Sequence, residues 1–543
     1  MRFLVSLFFV SVFSFSHVIV SGQNKIRAEK DIDELMARMT LEEKVGQMSQ
    51  VTLDVLGGMS SSGRFDLDKD KLLDAIVNYK LGSVLNTSDN RAMSTTDWHR
   101  IVTTLQSEAA KTRLAIPLIY GFDAIHGATY VSGATFFPQP LGQAATWNRS
   151  LVHEAALITA YESRAASVSW NFSPVLDLGM NPLWPRIWET YGEDPYLVAE
   201  LGKQVVSGYQ NNNGAGEQVA ACLKHYLAYS DPKTGKDRTN VWLPENYLRE
   251  YHLPSFKAAV EQGALSVMVN SGLINGLPTH INKYLLTDVL KKELGFSGVV
   301  VTDWQDIENV FKRDKVASSY KEAIMLSINA GVDMAMIPYD YVTFCNDLSS
   351  LVREKKVPMS RIDDAVRRIL VLKWKLGLFQ KTVTEPAAYP RFGSGDFCRK
   401  AYDCVAESIT LLKNQKGCLP LKPGVKILVT GPNANSMRTL NGGWSYSWQG
   451  EKTELFAGSY RTILTAMQNK FGKDNVAYFP GVNYVMEGKY FEDTVQSLAE
   501  FSRYAAGVDY ILLCLGENSY TEKPGDLNDL SLSPNQQALA MMA

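Results

Sequence analysis

The chain has 543 residues, 45% of them hydrophobic and 21% charged, with a formal net charge of −2. Such a composition is ordinary for a globular protein and leaves room for two to four domains of about 150 residues. No block of Lys and Arg supplies a nucleic-acid footprint, and beyond the N-terminal segment no run approaches the roughly 18 uncharged apolar residues of a membrane-spanning helix.

Arg2, the apolar stretch Phe3 to Phe15 broken only by Ser, and the small residues of Val20-Ser21-Gly22 read as a secretory signal peptide over residues 1–22. Export places the mature protein outside the cytosol, whether extracellular, periplasmic or lysosomal. Asp31 to Met39 carries apolar residues at helical spacing (Ile32, Leu35, Met36, Met39), and Thr40-Leu41-Glu42-Glu43 is a capping box for a second helix. Short apolar runs then recur between helical patterns: Val45–Val51, Gly82–Leu85, Pro117–Phe122, Ser169–Leu176, Val219–Tyr226, Ser266–Asn270, Gly298–Thr302 and Val332–Ile337. Eight strands alternating with helices predict a (β/α)8 barrel over residues 23–380, with a doubly wound open sheet as the competing fold.

An amphipathic helix over Arg361–Leu378 closes the barrel, and a linker at 381–395 bears Pro and Gly. A second α/β pattern occupies 396–543. It has a helix to Lys413, strands at Lys426–Thr430, Val476–Phe479 and Tyr510–Leu515, and a helix starting near Pro534. Three strands are too few to close a sandwich comfortably, so this domain is expected to be incomplete. The six Cys (222, 345, 398, 404, 418, 514) show no C-x-x-C spacing, which argues for buried free thiols and against a zinc site. Of three N-x-S/T sequons, at Asn86, Asn148 and Asn171, the last lies inside an apolar run.

Polar residues cluster where the strands are predicted to end. Asp123 follows Tyr120-Gly121-Phe122, with His126 three residues on. Asp177 ends Pro174-Val175-Leu176, Lys224-His225 ends Ala220 to Leu223, and Asp303-Trp304 ends Val299 to Thr302. One such residue is usually a helix cap, but four at the ends of the third, fourth, fifth and seventh runs mark the face where barrels place their sites. Arg186, in a segment rich in Trp and Pro, could pair with Glu189 or Glu193 at the surface, or hold sugar hydroxyls with carboxylates behind it.

At these residues the chain resembles glycoside hydrolase family 3. The matching motifs, in family order, are Gly121-Phe122-Asp123-Ala124-Ile125-His126-Gly127, Trp184-Pro185-Arg186 with Tyr191-Gly192-Glu193-Asp194-Pro195, Lys224-His225-Tyr226, Thr302-Asp303-Trp304, Ala330-Gly331-Val332-Asp333-Met334, and Leu411-Leu412-Lys413-Asn414 with Leu419-Pro420-Leu421. The resemblance is strongest to the β-glucosidase and exo-β-glucanase branch. It implies a retaining exo-β-glucosidase acting on a β-glucoside or β-glucan, without metal or cofactor. Asp303 would be the nucleophile, and Glu522 in Tyr520-Thr521-Glu522-Lys523-Pro524-Gly525-Asp526 the acid/base, with Glu517 its rival. Asp123, Arg186, Lys224 and His225 would hold the terminal glucose, while Trp304 and Trp448 sandwich the next sugar. Lys224 and Arg186 are expected beside Asp303, keeping it ionised, and burial should raise the pKa of Glu522.

Two departures from the family pattern stand out: many relatives have Tyr where this chain reads Val269-Asn270-Ser271-Gly272, and the C-terminal part of the second domain is expected to be missing. The family's β-N-acetylglucosaminidases are a second enzymatic reading, although Lys224-His225 is not followed here by their loop signature. β-Xylosidase or arabinofuranosidase activity stays open, as does a non-catalytic carbohydrate-binding fragment.

Overall fold

The computed structural model describes residues 29–543 except 62, 212–215, 486 and 487. The signal-peptide segment therefore lies outside the described residues. Helix α1 (Lys30–Ala37) leads into α2 (Leu41–Gln47), whose N-terminus carries the full Thr40/Glu43 capping box.

Eight parallel strands follow: β1 (Ser49–Thr52), β2 (Ser83–Leu85), β3 (Ile119–Phe122), β4 (Trp170–Asn171), β5 (Ala220–Tyr226), β6 (Ser266–Val269), β7 (Val299–Val301) and β8 (Ala335–Met336). They neighbour one another in chain order, β1 pairs back onto β8, and a parallel bridge between Val301 and Met334 spans the β7–β8 seam. This is the predicted barrel, and each strand falls within or overlaps one of the eight apolar runs. The runs read clearly because parallel strands covered by helices are buried on both faces; every residue of β5 is buried.

Several strands are shorter than their runs, Val332–Ile337 for one being a strand only over Ala335–Met336, and two runs have a local cause. Val45 belongs to α2, because the capping box carries the helix to Gln47 and the strand starts only at Ser49. The Ser169–Leu176 run is a strand only over Trp170–Asn171, since Pro174 has no N–H for a ladder; Val175 regains a single bridge to Lys224. Asn171 is fully buried, which removes its sequon from the surface. Gly121 in β3 is needed for space: a Cβ there would meet the Phe172 ring at 2.6 Å.

Among the outer helices are α3 (Arg149–Ala165), α4 (Pro195–Gln210) and α5 (Met359–Lys375). Helix α6 (Gly395–Ser408) packs Phe397 and Cys404 against Ala155, Ile158 and Tyr161 of α3, so it rides on the barrel. It ends at Ser408 and not Lys413, because the β-branched pair Ile409-Thr410 turns extended. All six cysteines are free; Cys222, Cys345, Cys404 and Cys514 are buried.

The second sheet is parallel in the order β10-β9-β11, from β9 (Ile427–Thr430), β10 (Val476–Phe479) and β11 (Tyr510–Leu513). Alternate residues of β9 feed separate cores on its two faces, Ile427 and Val429 on one and Leu428 on the other, where Leu539 of α7 (Pro534–Met542) also packs. The loops leaving β9 and β11 run from adjacent strand ends, so both reach the barrel mouth together. Among the described residues no helix is long and apolar enough to cross a membrane.

Candidate active site

A cavity of about 400 Å³ opens at the C-terminal ends of the barrel strands. All eight strands or the loops after them contribute to its wall, from Thr52 at the end of β1 to Tyr339 after β8, and the second domain adds Trp444, Trp448 and Glu522. The eight residues singled out from sequence, Asp123, Arg186, Lys224, His225, Asp303, Trp304, Trp448 and Glu522, all line this one cavity.

At its floor each cation or ring is fixed by a carboxylate. Lys224 Nζ donates to Asp123 Oδ1 at 2.6 Å. Asp177 Oδ2 accepts from both the His225 amide (3.0 Å) and its Nδ1 (2.7 Å), leaving Nε2 toward the cavity, 4.0 Å from Asp303 Oδ2. Burial, reinforced by Arg186, Lys224 and Arg238, holds the His225 pKa well below its ordinary value, so the imidazole is neutral. Arg186 is buried and forks onto Glu189 with bonds of 2.9 and 2.7 Å, while its Nη1 makes no hydrogen bond and lies 3.3 Å from Glu522 Oε1. The pairing of Arg186 with Glu189 is thus a buried anchor and not a surface contact.

The two candidate carboxyls come from different domains. Asp303 Oδ1 accepts the Trp304 amide at 2.6 Å, and the buried Oδ2 has no hydrogen-bond partner. Lys224 and Arg186, expected beside Asp303, are engaged elsewhere, because Asp123 and Glu189 stand closer to them. Burial raises the Glu522 pKa to about 7, with Asp237 and Asp303 adding to the rise and Arg186 and Arg238 opposing it. A carboxyl that keeps its proton to near neutrality therefore faces one with a free buried oxygen, the equipment for acid-assisted displacement.

Trp304 and Trp448 stand at the barrel and second-domain sides of the cavity. The Trp448 loop is pinned to the barrel: its amide donates to Asn90 Oδ1 (2.7 Å), and Gln139 Nε2 donates to the carbonyls of Asn441 and Gly443 (both 2.9 Å). Gly443 permits this approach, since a Cβ there would meet the Trp188 ring at 2.8 Å. His126 belongs to the same seam and not to the cavity, bonding Ser445 Oγ at 3.0 Å and the Phe137 carbonyl at 2.7 Å.

Sequence reasoning missed Arg238, whose Nη2 donates to Glu522 Oε2 at 3.1 Å, and Trp444, whose ring centroid lies 5.6 Å from Lys224 Nζ. Trp444 had a signal in its Gly-Gly-Trp setting. Arg238 had only a polar Pro/Gly loop after a barrel strand. Glu517 is outside the cavity wall and accepts from the Tyr520 hydroxyl at 2.8 Å.

The profile described as "Glycosyl hydrolase family 3 N terminal domain" matches residues 40–372, and "Glycosyl hydrolase family 3 C-terminal domain" matches 409–542. The chain is 40% identical over 532 residues to the "Lysosomal beta glucosidase" of Dictyostelium discoideum, covering 94% of this chain and 64% of that protein. It is 33% identical over 463 residues to a "Beta-xylosidase" of Formosa agariphila, covering 81% and 62%. Among solved structures, the exo-1,3/1,4-beta-glucanase of a Pseudoalteromonas species superposes with a TM-score of 0.80 at 30% identity, over 96% of this chain and 63% of that one. The beta-glucosidase of Listeria innocua in complex with glucose gives 0.81 at 30%, over 94% and 67%. The chain thus spans less than two thirds of the length of both of these curated relatives.

Proposed function

Since the chain belongs to glycoside hydrolase family 3, we propose that it is a retaining, exo-acting β-glucosidase that removes terminal nonreducing β-D-glucosyl residues from oligosaccharides or glucans. The observation carrying this reading is the pairing of Asp303 and Glu522 across one cavity whose floor is set with anchored hydroxyl-binding groups. Names of relatives that include beta-glucosidase and exo-1,3/1,4-beta-glucanase support it.

In this reading Asp123, Lys224, His225 and the free Nη1 of Arg186 hold the glucosyl hydroxyls. Asp303 attacks the anomeric carbon while Glu522 gives its proton to the leaving oxygen. Once Asp303 is esterified its charge is gone, and that charge is one of the influences raising the Glu522 pKa. The Glu522 proton then leaves more readily, and the same residue serves as base for the incoming water. Residues 23–380 and 396–543 would act as the two working domains, joined by 381–395. A site outside the cytosol fits relatives named lysosomal and periplasmic.

Proton NMR of p-nitrophenyl β-glucoside hydrolysis tests the proposal directly. The first sugar released is expected to be β-glucose; α-glucose would overturn the double displacement. A β-xyloside is the second substrate to assay, because one relative is named a β-xylosidase and a xyloside lacks only the hydroxymethyl group, whose loss is costly where the site hydrogen-bonds its hydroxyl and cheap where it does not.

Trp448→Ala is expected to lower kcat/KM for disaccharides by about 10-fold, in line with aromatic contacts of roughly a kcal/mol or more, and to spare aryl glucosides. Equal losses on both substrate types would remove Trp448 from the leaving-group side.

A further inference from the structure

Glu522 is held by cations on both of its oxygens. Arg186 Nη1 lies 3.3 Å from Oε1 and Arg238 Nη2 lies 3.1 Å from Oε2. The two arginines are not equivalent. Arg186 is locked by its fork onto Glu189, so the N–H it points at Glu522 is also the N–H it could give to a sugar. Arg238 has no such anchor: its buried Nε makes no hydrogen bond, and the nearest carboxylate behind it, Asp237, lies 3.6 Å away.

The loop bearing Arg238 meets the Glu522 loop at successive residues. The Asp237 amide donates to Asp526 Oδ1 at 2.8 Å, and Lys236 Nζ donates to Asn528 Oδ1 at 2.8 Å and to the Leu527 carbonyl. Arg238 and Glu522 both sit at positive φ, 57° and 53°. That conformation is uncommon for non-glycine residues, and its strain must be held by the surrounding contacts. Three consecutive barrel residues thus grip the second-domain loop, and the grip converges on one carboxyl.

We propose that Arg238 is a positioning residue for the acid/base, holding the Glu522 carboxyl by its second oxygen so that the fixed Nη1 of Arg186 is left to give its N–H to the sugar. The proposal rests on Glu522 being the acid/base. Without Arg238, the remaining cation near Glu522 is the one the sugar needs, and substrate and carboxyl compete for it.

The charges around Glu522 give the inference a pH signature. Arg186 and Arg238 favour its ionised form, whereas burial and the carboxylates of Asp237 and Asp303 favour the protonated form; the Tyr130 phenol also faces it. Neutralising Arg238 removes a cation, so Glu522 keeps its proton to higher pH. Activity that needs the protonated acid then persists to higher pH, and the alkaline limb of kcat/KM moves up.

The test is Arg238→Gln and Arg238→Lys in the full chain, with cellobiose and dinitrophenyl β-glucoside. Arg238→Gln is expected to move the alkaline limb for cellobiose up by about one pH unit. It should lower kcat/KM for cellobiose about 10–100-fold, as misplacement of a catalytic group does, and that for the dinitrophenyl substrate far less, since this leaving group needs no proton. Arg238→Lys should return the limb to its wild-type position. An unmoved limb in Arg238→Gln, or equal losses on both substrates, would overturn the proposal. If Arg238→Gln does not fold, Arg238→Lys alone decides: selective loss on cellobiose supports the role, and uniform loss refutes it. Azide rescue of Glu522→Ala separates the two readings. Without rescue the acid/base assignment fails; with rescue and an unmoved limb, only the role of Arg238 does.

Discussion

Asp303→Asn is expected to reduce turnover of any β-glucoside by at least about 10⁴-fold, the scale on which loss of a covalent nucleophile acts in other hydrolases. The amide is nearly isosteric, so the cost should fall on chemistry and not on the fold. Its oxygen can still accept the Trp304 amide, the bond now made at 2.6 Å to Oδ1. Its NH2 can face His225 Nε2, which is free because Nδ1 is committed to Asp177. What the amide cannot do is form the glycosyl ester. Melting temperature should therefore move by no more than a few degrees. A 2-deoxy-2-fluoro glucoside gives the complementary result: in wild-type protein the label is expected on the peptide carrying Asp303. Label on any other carboxyl would overturn the assignment and the mechanism built on it.

The barrel was legible because its strands are buried on both faces, which writes each of them as an apolar run such as Val299-Val300-Val301. The candidate site was legible for a related reason. A polar residue directly after such a run, as with Asp123 or Asp303, lands at the barrel mouth wherever the helices go. Pairings between residues far apart in the chain were not legible, although the local pair of Arg186 with Glu189 was. That a cation lies near Asp303 can be anticipated, but whether Lys224 bonds Asp303 or Asp123 depends on distances that strand-end spacing does not encode. Arg238 illustrates the limit most clearly. It bonds Glu522, 284 residues away in another domain, and nothing in its own loop announces that partner. Helix ends were missed where short-range chemistry overrode periodicity, as at Ile409-Thr410.

Glu522→Ala is expected to separate substrates by leaving group. Acid assistance matters most when the departing oxygen is a poor leaving group, and general acid/base catalysis contributes about 10²–10⁴-fold. Cellobiose hydrolysis should fall by that much, while glycosyl-enzyme formation from dinitrophenyl glucoside stays comparatively fast. Deglycosylation should then limit the rate, because the residue proposed to activate water is gone, and azide should restore turnover with β-glucosyl azide as the product. The geometry favours Glu522 over its neighbour Glu517 for this behaviour. Glu522 lines the same cavity as Asp303, with burial raising its pKa to about 7, so it holds a proton near neutrality, as the proposed acid requires. Glu517 is spent on the Tyr520 hydroxyl, whose ring packs on Tyr490 at 4.7 Å, an arrangement that supports the loop from behind. Glu517→Ala should accordingly lose activity on both substrates to the same degree, without azide rescue. Rescue of Glu517→Ala and not of Glu522→Ala would reverse the assignment, and with it the role given to Arg238.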